Sequence, residues 1–121
     1  MTSQFDDFLG TNSSLTRTQI KRIELQISLQ NPGSPESQGE SRSEISGVSA
    51  GAYYRVLSQA KNNIDQALYT ILLCARIGVL QMDDLRRLLD LIAKTPSDLA
   101  EAETEQVIPL VQALVSKIVM L

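Results

Sequence analysis

From Asn31 to Ser49 the chain passes through Pro32, Pro35, three glycines and a series of serines, with only Ile45 and Val48 as large apolar side chains. From Gly51 onward, leucine, isoleucine and valine recur at steps of three and four. A segment as polar as the first buries too little apolar surface to offset the entropy of ordering it. A helical repeat like the second must hide its stripe against something. This division predicts an all-α protein: a small three- or four-helix bundle over residues 50–121, a flexible linker over 31–49, and a flexible N-terminal extension.

The extension has two parts. Residues 1–14 read as a mobile arm holding both phenylalanines of the chain, in Phe5-Asp6-Asp7-Phe8-Leu9-Gly10. Phe5, Phe8 and Leu9 either dock in a partner's groove as a short linear motif or fold back onto the chain's own core. Residues 15–30 carry two conflicting patterns. Ile20, Ile23 and Ile27 have helical spacing, with Thr16 or Thr18 as an N-cap, whereas Ile23 to Leu29 alternates like a strand. No second strand pattern exists to pair with it, so helix is preferred. Asn31-Pro32-Gly33 ends either element.

Within the bundle, Tyr53, Leu57, Ala60, Ile64, Ala67, Leu68, Ile71, Cys74 and Ala75 predict one long helix from Gly51 to Ile77. Ser49 is its expected N-cap and Gly78 its left-handed terminator. The segment Leu68 to Ala75 is apolar nearly all round, which places it in the middle of the bundle or at an interface. A second helix runs from Met82 or Asp83 to Lys94, with acids at its start and a lysine at its end to suit the dipole. Thr95-Pro96-Ser97-Asp98 reads as a new helix start, with Thr95 as cap and Pro96 at the first position. Pro109 is expected only in a first turn, which sets the final helix to begin near Gln106. That helix is apolar on a wide face including Val111, Val115 and Val119, directed at the core or at a partner.

The residues also limit the chemistry. The chain has no histidine and one cysteine, Cys74, so an internal disulfide is excluded and the commonest general base is missing. Cys74 has no histidine to activate it and reads as a core residue. Asp83, Asp84 and Asp90 complement a helix dipole and lack the alternating oxygen ligands of a cation loop. No phosphate-cradling glycine loop occurs. No enzyme, cofactor, metal or small-molecule substrate is therefore expected. Asp6 and Asp7 interrupt any leader-like apolar run, and the longest apolar stretch is broken by Arg76 and too short to span a bilayer. A cytoplasmic location without membrane attachment is expected.

What remains is binding. The favoured expectation is an adaptor or accessory subunit held by a protein partner or by self-association. Its contacts would be Phe5, Phe8, Leu9, Tyr54, Val111, Val115 and Val119. The alternative is a small helix-turn-helix-like nucleic-acid binder, built on the joint from Ile77 to Asp83, with Arg17, Lys21, Arg22, Arg86 and Arg87 on phosphates. The net charge of −3 weighs against it. Residues 1–50 carry four basic against six acidic side chains, and residues 51–121 seven against eight, so neither half offers a positive field.

Overall fold

The computed structural model describes residues 3–30 and 47–121. Among them the protein is all-α, with five helices: α1 (Gln4–Asn12), α2 (Arg17–Gln30), α3 (Ala50–Ile77), α4 (Met82–Lys94) and α5 (Glu101–Ile118). The predicted linker lies outside the described residues, apart from Gly47 to Ser49. The chain divides into two units, one of residues 13–67 and one of residues 1–12 with 68–121. The division falls inside α3.

Local chemistry starts three of these helices. At α1, the Ser3 hydroxyl accepts from the Asp6 backbone N–H at 3.1 Å and donates to the Asp6 carboxylate at 3.0 Å. At α2, the Thr16 hydroxyl accepts from the Gln19 N–H at 3.1 Å, and the Thr16 N–H donates to Gln19 Oε1 at 3.0 Å. This reciprocal capping box satisfies donors that a helix start otherwise leaves orphaned. It selects Thr16 over Thr18 and helix over strand. At α3, the Ser49 hydroxyl accepts from the Ala52 N–H at 3.2 Å.

In the unit of residues 13–67, α2 and the first part of α3 are joined by two polar contacts. The Tyr53 hydroxyl donates to Gln26 Oε1 at 2.9 Å, and Asn63 Nδ2 donates to Gln19 Oε1 at 3.0 Å. The contacts run in opposite order along the two helices, which are therefore antiparallel. Tyr53 and Ala60, two turns apart, are fully buried, and Gln19 is buried beside its partners.

In the other unit, α5 packs against both α1 and α4. Its core is Phe5, Leu80, Val111 and Ile118. Residues 4–12 are thus a packed helix instead of the predicted mobile arm. The Ser3–Asp6 cap starts it, and burial of Phe5 holds it. Gly78 ends α3 at φ 90°, with the Gly78 and Val79 N–H groups both donating to the Cys74 carbonyl. The joint that follows is fastened to the end of α5. The Gln81 N–H donates to the Ile118 carbonyl at 2.7 Å and the Met120 N–H to the Val79 carbonyl at 2.8 Å, making an isolated antiparallel bridge between Leu80 and Val119.

Two local expectations are corrected. Thr95 closes α4 instead of opening a helix: its N–H donates to the Ile92 carbonyl and its hydroxyl to the Leu91 carbonyl at 2.6 Å. Residues 97 and 98 form a turn, and α5 begins at Glu101. Pro109 therefore stands inside α5, well past the first turn. Glu105, whose carbonyl loses its usual partner, and Pro109 are both exposed, so water can take the freed acceptor.

Candidate functional site

The outward side of α3 changes character along its length. Up to Gln66 it is polar, with Lys61 and Asp65 forming an ion pair at 2.8 Å. From Leu68 it is apolar. Leu68, Tyr69, Leu72, Leu73 and Ile77 are 58 to 72% exposed, while Cys74 and Ala75 are half-buried. At 100° per residue, Tyr69, Leu72, Leu73 and Arg76 form one stripe, flanked by Leu68 and Ile77. The segment predicted for the middle of the bundle or an interface thus faces outward in the single chain. Its all-round apolarity is the signal, and the single chain leaves it exposed from Leu68 to Leu73. Cys74 is correspondingly half-buried instead of a core residue.

The predicted contact residues separate in the same unit. Phe5 and Val111 are each 4% exposed and belong to the unit's own core, so neither offers a surface. Phe8 and Leu9 are half-buried, with the Phe8 ring stacked on Phe5 at 6.5 Å. Val115 and Val119 are half-exposed, together with Leu110. In the other unit, Tyr54 is 49% exposed and meets the buried Tyr53 ring edge-on at 5.2 Å.

The cations are arranged differently from a phosphate-binding surface. On α4, Arg86 pairs with Asp83 at 3.1 Å and Arg87 with Asp84 at 3.3 Å. Lys94 pairs with Asp90 at 2.8 Å. Each cation on this helix is matched by a carboxylate one turn earlier, which cancels its field beyond a few ångströms. Arg17 and Lys21 are exposed on α2. Arg22 is half-buried, and its Nε is buried without a hydrogen-bond partner. The three therefore do not form a single open face.

Among the described residues, no group of three or more acidic or cysteine side chains is gathered to hold a metal ion. No helix there is long and apolar enough to cross a membrane. Set against protein-family models, curated proteins and solved structures, the chain matches none of them.

Proposed function

We propose that this chain is a non-enzymatic protein-interaction module, an adaptor or accessory subunit, that binds through its apolar helix faces. The observation that carries this reading is the outward stripe on the second half of α3, where five large apolar side chains stand more than half exposed. Contiguous apolar surface of this kind is uncommon on a protein that works alone and marks contact sites. Leu110, Val115 and Val119 on and beside α5 add exposed apolar surface in the same unit. The paired charges of α4 support protein over nucleic acid as the ligand. A cytoplasmic setting accompanies the reading, since a chain with one cysteine needs no oxidising compartment.

The test is affinity capture of the tagged full chain from its native cells, with nuclease, beside the variant Leu72→Asp. A stoichiometric protein partner that survives nuclease and is lost with Leu72→Asp is the expected result. Recovery of nucleic acid with no nuclease-resistant protein overturns the reading. A partner indifferent to Leu72→Asp moves the contact off α3.

A further inference from the structure

We infer that the outward stripe of α3 pairs with the same stripe of a second copy of this chain, in antiparallel orientation about a two-fold axis between Leu72 and Leu73. The inference rests on the interaction reading above and names the partner. Its basis is the self-complementarity of the exposed residues. Along the helix the face runs Leu68-Tyr69, then Leu72-Leu73, then Arg76-Ile77. Turned about the axis, Leu72 meets Leu73 and Tyr69 meets Arg76, each contact occurring twice, with Leu68 and Ile77 on the two flanks of the seam. A two-fold interface requires this kind of self-complementarity, because one patch must serve as both surfaces.

Arg76 is the one charge on the stripe. It is exposed and forms no ion pair among the described residues. An arginine in an apolar face opposes burial against a purely apolar partner, because its charge is left uncompensated. Against a second copy it lies opposite the 72% exposed Tyr69 ring, where guanidinium and aromatic face attract. Tyrosine and arginine are also residues enriched in interface cores. Five of the six side chains are 58 to 72% exposed, so pairing takes contiguous apolar surface out of water.

Sedimentation velocity on the purified full chain, over micromolar to millimolar concentration, tests this. The expected result is a dimer, twice the 13.3 kDa chain mass, whose dissociation constant rises at least about 100-fold in Leu72→Asp. Arg76→Glu should weaken it by about 10-fold or more. Leu72 is exposed in the single chain, so Leu72→Asp should keep its helical circular dichroism; a melting temperature that rises with concentration only in the wild type is a second readout. A wild-type monomer across the whole range overturns the pairing, as does a dimer unmoved by both substitutions. A monomer that still captures a protein through Leu72 removes self-pairing and leaves the interaction reading standing. A monomer that captures nothing removes both.

Discussion

Phe5→Ala decides whether the N-terminal helix belongs to the folded unit. The ring is 4% exposed, and a buried phenylalanine removes about 200 Å² from water. At about 25 cal/mol per Å² this amounts to about 5 kcal/mol as an upper limit. The retained Cβ and a compact denatured chain reduce it to about 3 kcal/mol. Native domains are stable by roughly 5–15 kcal/mol in all, so the loss is large. Phe8 is the internal control: it lies one turn on, only half-buried, and Phe8→Ala should cost roughly half as much. The assay is urea denaturation of both variants with amide hydrogen exchange across residues 4–12. Phe5→Ala should shift the midpoint well below that of Phe8→Ala and strip protection from α1. Equal costs, or a loss below about 1 kcal/mol for Phe5→Ala, would refute the packing and restore the mobile arm.

Three further substitutions test other elements. Tyr53→Phe removes the hydroxyl that donates to Gln26 and should cost about 1 kcal/mol by thermal melt, the usual net value of one such bond. Pro109→Ala restores a backbone donor inside α5 and should raise stability by about 1–3 kcal/mol in denaturant, since interior proline opposes a helix; a fall would refute that cost at this position. Met120→Pro deletes the N–H that donates to the Val79 carbonyl and should cost about 1 kcal/mol, with faster exchange at Gln81 as its bridge loosens.

Much of the local structure was legible in the residues, because caps and terminators act within one turn. Ser49 and Gly78 mark the limits of α3 by residue type alone, and the period of the apolar residues places α3 and α4 within a residue or so. Thr16 was one of two cap candidates, and the Gln19 three residues later, which settles it, was available in the sequence. The Ser3–Asp6 pair carries the same signal for α1, and the burial of Phe5 is the fold-back alternative that the residues leave open. Thr95-Pro96 fits a cap as well as a stop by its residue types alone. What decided was that Thr95 satisfies the carbonyls ending α4.

The candidate surface shows the limit of a one-dimensional reading. The apolar period shows that Leu68 to Ile77 must be covered, since exposed leucine has no local remedy. It does not show by what, because covering is a long-range event between elements far apart in sequence. Only the tertiary structure assigned Phe5 and Val111 to the inside, left Leu72 and Val115 outside, and gave α5 a partner in α1. The sequence by itself determined helices, their caps and an excess of apolar faces, all set by interactions within about four residues. The fold decided which of those faces one chain can cover, because a helix packed on one side leaves its other side in water.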